Sequence, residues 1–285
     1  MLRACSVLAA TLIALPLVAG CAGNNDTRNV TQPEKQVLGH VHGIGVDPAD
    51  GALYAATHVG VMRIEDNGSL TRIADRWQDT MAFTVVGPGR FLGSGHPDLR
   101  EDLPPHLGLI ETVDAAETWS SLSLLGEADF HALDVAGKRI YAYDAMSNQL
   151  LTSTDKKRWS ALSRGQVTDL VINPDNPRQV LVASPTGRLQ QRRLGQRAAT
   201  TLRDAPPLQY LAWPEPGELA GIAPTGEVYA STDGGDTWTV RGIVPGVPAA
   251  FDIAGRVWHA ASDQGLYRSQ DGGNTWEPLV RIATP

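Results

Sequence analysis

"STDGGDTW" at 231–238 returns as "SQDGGNTW" at 269–276. A looser copy, "TVDAAETW", stands at 112–119, and "STDKKRW" at 153–159 is one residue short. Their tryptophans, Trp119, Trp159, Trp238 and Trp276, are separated by 40, 79 and 38 residues, so one unit has decayed in the long gap. Trp77 lies 42 residues before Trp119 and fits an earlier decayed unit. The motif has a physical reading. A serine or threonine hydroxyl and an aspartate can hold the N–H groups of a tight turn. Glycine supplies positive φ there, and the tryptophan opens the next strand and fills the wedge between sheets. Asp114, Asp155, Asp233 and Asp271, with Trp238 and Trp276, are therefore read as structural turn residues rather than catalytic ones.

This motif resembles the Asp-box, or BNR repeat, of sialidase-like and other β-propellers. The sequence around it agrees with such a unit. Short apolar segments recur at 41–48, 81–87, 130–137, 167–174, 208–214 and 249–255. Each is followed by a turn and a second apolar strand: "LYAAT", "FLGSG", "IYAYD", "VLVAS", "LAGIA" and "VWHAAS". A third strand runs into the aspartate turn and a fourth leaves it. The expectation is an all-β chain, a six-bladed β-propeller of four-stranded antiparallel blades over residues 38–285. Residues 30–38 are a candidate extra strand for the last blade.

Composition limits the rest. The 285 residues carry a formal charge of −7 and no long basic run, which argues against nucleic acid as a partner. The first twenty residues combine Arg3, an apolar run from Ala4 to Ala19 and small residues, a secretory signal pattern. "LVAGC" at 17–21 resembles the lipobox of bacterial lipoproteins. That resemblance implies cleavage before Cys21, lipid on its sulfur and a protein exported and anchored to a membrane, facing away from the cytoplasm. Residues 21–37 are polar and lack periodicity, as in a flexible tether. Without Cys5 and with Cys21 lipidated, the domain would have no disulfide, and it is expected to be a monomer.

The candidate site comes from placing histidines on the repeat. In a propeller, the start of each inner strand and the end of the second strand share one mouth. His40 and His42 start the first inner strand, and His131 holds the same slot as His42 in blade 3. His58 and His96 follow the second strands of blades 1 and 2. These five are expected to form the first shell of one ligand cluster. Neutral imidazole is the commonest protein ligand for transition metals, so the expected guest is copper or zinc. Asp98, Asp129 and Asp144 are the expected supporting carboxylates. Met81 and Met146 fall near the same mouth, where thioethers would favour Cu(I). The insertion at 97–107 reads as a lid or contact loop, His106 as a residue decorating it, and His259 as structural.

"HVHGIGVDP" (40–48), "GSGHPD" (93–98), "LGLIETVDAAETW" (107–119) and "GEADFHAL" (126–133) resemble a family of bacterial exported propellers. Its members are commonly filed as glycosyl hydrolases or exo-α-sialidases, which implies sugar chemistry. Sialidases of this fold use three arginines, a tyrosine–glutamate pair, an aspartate acid and an Arg-Ile-Pro motif. No Arg-Ile-Pro occurs here, and the inner-strand starts hold no arginine. Two alternatives stay open beside metal binding. One is a glycoside hydrolase using a carboxylate pair drawn from Asp98, Glu101, Asp102, Asp129 and Asp144. The other is a scaffold that holds a surface protein through its rim.

Overall fold

The computed structural model describes residues 38–282. The signal, Cys21 and tether readings lie outside them. The chain divides into residues 1–35 and residues 36–285, and everything below concerns the second unit.

That unit holds six four-stranded antiparallel sheets, each built from consecutive strands and arranged as the blades of a propeller. The inner strands are Val41–Val46, Asp79–Gly87, Phe130–Ala136, Asp169–Ile172, Tyr210–Ala212 and Pro248–Ala254. Their burial follows from position. The second strand of blade 1, Leu53–Thr57, is covered on both faces and reads as an uninterrupted small or apolar run. The outermost strands, such as Ser120–Ser123 and Thr239–Ile243, are partly to largely exposed, Val240 and Ile243 included.

Apolar contact between blades supplies the core. Phe130 and Trp159 pack with ring centroids 5.0 Å apart, in a cluster that also takes Leu92 and Leu109 from blade 2. The inner strands of blades 1 and 2 approach so closely that a Cβ at Gly45 would lie 2.7 Å from Val85 Cγ2.

Inner strands of adjacent blades share no backbone ladder, and side chains join them instead. Asp47 accepts from Gly89 N across blades 1 and 2, and Ser94 Oγ accepts from Phe130 N across blades 2 and 3. Asp134 accepts from Ile172 N and Asp169 from Leu211 N, each at 2.7 Å. Asp252 accepts from Val46 N, linking blade 6 to blade 1. The same closing seam holds Leu38, Val41, Ile44, Ala250 and Leu266 in one cluster, and Arg268 pairs with Asp66 at 2.9 Å. The last blade takes all four of its strands from 248–281, so the described residues add no fifth strand to it.

The repeated turns behave as hydrogen-bonded caps at the end opposite the histidines. Ser269 Oγ accepts from Gly273 N at 2.9 Å and donates to Asp271, whose carboxylate accepts from Thr275 N and Oγ1. Ser231, Asp233, Gly235 and Thr237 repeat this pattern, as do Thr112, Asp114, Ala116 and Thr118. Asp155 instead accepts from Arg158 N and Nε, because this shorter turn has an arginine near the threonine position. Replacing Ser269 by alanine leaves the buried Gly273 N–H without its acceptor. The expected loss of stability is about 1–2 kcal/mol, read as a lower urea midpoint with unchanged slope.

Trp77 departs from its expected role. It follows the last strand of blade 1, Leu70–Arg72, rather than opening a fourth strand. Its ring is capped by the Arg72 guanidinium, 3.5 Å from the centroid. The corresponding turn of blade 1 is Glu65–Ser69, closed through Asn67.

Candidate functional site

The mouth is shaped by β-bulges. In blade 1 the pairing steps from Val41↔Thr57 to Gly43↔Ala56, leaving His42 as the extra residue. The same skip falls on Met81, His131 and Ala249 in blades 2, 3 and 6. A bulged residue is unpaired and its side chain is re-aimed. That is how His42 and His131 come to face the mouth of a cavity of about 250 Å³, whose walls include Asp134, Asp169 and Asp252.

Around His42 a first group assembles. His58 follows the second strand of blade 1, and its N–H bonds to His40 O at 3.3 Å. Asp79 opens the inner strand of blade 2. His58 Nδ1 lies 2.9 Å from Asp79 Oδ2 and 3.3 Å from His42 Nε2, and His42 Nε2 lies 3.5 Å from Asp79 Oδ1. A single ring nitrogen either donates or accepts, so His58 Nδ1 cannot satisfy both neighbours with one proton. Asp79 Oδ1 is buried without a hydrogen-bond partner. His40 flanks the group, its ring 4.8 Å from that of His42 and 5.4 Å from that of His58. Burial, reinforced by His58 and His40, pushes the His42 imidazole down to about 4. Burial and His58 also lower His40. Neutral His42 has a lone pair to give at neutral pH.

A second group adjoins it. His96 ends the second strand of blade 2 and faces Asp79 across the pair. His106 ends the insertion, Asp129 precedes the inner strand of blade 3, and His131 is its bulged residue. His131 Nε2 is 2.9 Å from Asp129 Oδ2, with His106 Nδ1 at 3.8 Å and His96 Nε2 at 3.9 Å from the same oxygen. The His96 Nδ1–H donates to Pro105 O at 2.8 Å, which turns Nε2 towards the carboxylate. His106 Nδ1 and Asp129 Oδ1 are buried without partners. Burial raises the Asp129 carboxyl, but the His131 hydrogen bond and the fields of His131, His96 and His106 outweigh it, so the net shift is downward.

The five histidines expected to form one shell thus divide between two groups. His42 and His58, with His40 beside them, belong to the first; His96 and His131 belong to the second. In each set of three, His42–His58–Asp79 and His96–His106–Asp129, one ligand atom per residue lies within 4.8 Å of the others. Two members were missed in sequence. Asp79 occupies the position two before a bulge, as His40 and Asp129 do, so aligning "DTM" with "HVH" and "DFH" would have found it. His106 is brought back to the mouth by Leu107 N bonding to Gly95 O at 2.9 Å.

Two of the expected supporting carboxylates do other work. Asp98 is 4% exposed and accepts from Trp77 N and from Arg100 N, Nε and Nη2. These bonds hold it far below the usual carboxylate range and knot the insertion. Asp144 accepts from Asp129 N at 3.0 Å and from Met146 N and Ser147 N, so it orients the backbone that carries Asp129. Glu101 pairs with Arg76. Met146 is more than half exposed in the loop after Asp144. His259 lies in the second strand of blade 6, and burial, then nearby Arg268, pushes it down to about 4.

No family model matches the chain, and no curated protein matches it in sequence. Solved structures are similar in fold. A chain of the nidogen/laminin complex aligns with TM-score 0.61 at 9% identity, over 81% of this chain and 95% of that one. The GH74 enzyme of Niastella koreensis aligns with TM-score 0.57 at 14% identity, over 85% of this chain and 54% of that one. PorZ, a surface component of the type-IX secretion system of Porphyromonas gingivalis, aligns with TM-score 0.56 at 16% identity, over 86% of this chain and 33% of that one. At these identities the likeness is one of fold alone: the chain is a six-bladed β-propeller.

Proposed function

We propose that this protein binds a transition metal at the mouth of its propeller, through the histidine–carboxylate groups of blades 1–3, and that it does so as an exported, lipid-anchored protein of the bacterial propeller family it resembles. One observation carries the metal reading. Asp79 Oδ1, Asp129 Oδ1 and His106 Nδ1 are buried without partners, and all three atoms are on residues of the two ligand groups. Buried polar atoms are almost always satisfied, so unpaired carboxylate oxygens and a ring nitrogen on these residues favour a cation there. Nitrogen and oxygen donors suit zinc or copper(II). The lipid anchor rests on the "LVAGC" segment alone. The glycoside hydrolase reading has less support, because Asp98, Glu101 and Asp144 are engaged in ion pairs or in holding loops.

The full chain, purified and dialysed after exposure to Zn(II) or Cu(II), is expected to retain at least one equivalent by elemental analysis. The Asp79→Asn, Asp129→Asn double variant preserves shape and removes the charge. It should retain metal about 100-fold less tightly while keeping the parent's circular dichroism. A parent chain that retains no metal, or a folded double variant that retains as much as the parent, overturns the proposal.

A further inference from the structure

We infer that the two groups hold two ions of different lifetime: a retained ion at His96, His106 and Asp129, and an exchangeable one at His42, His58 and Asp79, where metal is taken up and handed on. This rests on the metal-binding reading above and concerns what each ion does.

The second group is tied shut by its own loop. His96 and His106 stand at the two ends of the blade 2 insertion, and the His96 Nδ1–H bond to Pro105 O draws those ends together. The loop between them is fixed by the Asp98 knot to Arg100 and Trp77 N, and by Arg76 with Glu101. Its return is fixed by Leu107 N to Gly95 O and by Gly126 N to His106 O, at 2.9 and 2.8 Å. The side chains of Asp129, His106 and His96 are 9%, 23% and 37% exposed, so the loop bonds rather than burial close the group. An ion held there leaves only after several of these bonds open together.

The first group has no such loop, and one of its ligands stands at the surface. His58 follows a strand end, with its side chain 48% exposed, while those of Asp79 and His42 are 25% and 10% exposed. No segment joins two of its ligands in the way the insertion joins His96 to His106. Beside it stands a spare imidazole. His40 is exposed, its ring is stacked 5.4 Å from that of His58, and it is not one of the three converging ligands. A spare ligand next to a bound ion lets exchange proceed by association, with the new bond forming before an old one breaks. An open position is likewise what distinguishes working metal sites from structural ones. The cargo suited to imidazole and carboxylate is a divalent ion such as Zn(II) or Cu(II).

The test is chelator-driven release. The full chain is loaded with Zn(II), freed of excess metal and mixed with excess pyridylazoresorcinol, and the coloured complex is followed in time. Two phases of one equivalent each are expected, with rates about 10- to 100-fold apart, the range by which supporting contacts alter metal retention. His58→Ala should abolish the fast phase and leave the slow one. His106→Ala should do the reverse, and His96→Ala should repeat that result from the other end of the loop, in case either variant misfolds. His40→Ala should keep both equivalents but slow the fast phase. Two equivalents released at one rate, or His58→Ala removing the slow phase, overturns the inference while leaving metal binding intact. A parent chain with no zinc to release overturns both.

Discussion

Replacing Phe130 by alanine is expected to lower the free energy of unfolding by about 3–5 kcal/mol. Phe130 is fully buried, and with Trp159, whose indole N–H bonds to Ser123 of blade 2, it joins blade 2 to blade 3. Its ring fills the wedge against Trp159 and touches the side of blade 2 formed by Leu92 and Leu109. Truncation removes that transfer energy and leaves a cavity that a closed ring of sheets cannot readily collapse. The substitution also acts on the site. Phe130 lies between Asp129 and His131, and its N–H is held by Ser94 Oγ at 3.0 Å. Loosening this strand should therefore weaken metal retention at the second group more than at the first. Urea denaturation monitored by tryptophan fluorescence measures the stability loss, and a shift below about 1 kcal/mol would show that the blade seam does not depend on this ring.

The second large effect concerns pH. Burial in the channel pushes the Asp134 carboxyl up to about 6 and those of Asp169 and Asp252 up to about 7, and the nearby Asp134 charge adds to the latter two. Each already accepts two backbone N–H bonds, which lower the value without cancelling the loss of solvation. The unfolded reference is 3.8, so between about pH 4 and 7 the folded state binds more protons than the unfolded one. Stability from these groups is complete below the unfolded value and is lost as pH rises through 6 to 7. His42 and His259, both pushed down to about 4, work in the opposite sense, and their contribution is lost as pH falls from 6.5 towards 4. Substitution separates the two. In the Asp169→Asn, Asp252→Asn variant, the side-chain amide oxygens would still accept from Leu211 N and Val46 N, so the staples remain without the charge while the bonds from Leu170 N and Ile253 N are given up. This variant should be more stable than the parent at pH 8 by about 2–4 kcal/mol, allowing for water in the channel. The difference should shrink towards zero near pH 4, where both carboxyls are protonated in the parent. Equal or lower stability of the variant at pH 8 would mean that channel water solvates these carboxylates fully.

The same three aspartates show why blade-to-blade cohesion is hard to read in one dimension. Each looks like a polar interruption in an apolar inner strand. In the ring, each replaces the missing backbone ladder between neighbouring inner strands. Asp98 and Asp144 mislead in the other direction, since carboxylates near the mouth resemble ligands until their N–H partners are seen.

The sequence by itself determined the architecture, because the turn motif and the apolar strand pattern recur at a nearly constant interval, and only stacked sheets closed into a ring bury every unit. It also confined six of the seven histidines to blades 1–3, since equivalent strand ends share a mouth in any such ring. Tertiary structure alone decided how those histidines are grouped. Bulges at His42 and His131 set where the rings point, and the fold of the insertion returns His106 to His96. Packing of the inner strands of blades 1 and 2 puts Asp79 beside His42 and His58, which come from a different blade. Bulges and loop anchors depend on contacts between residues far apart in the chain, so local sequence pattern does not encode them.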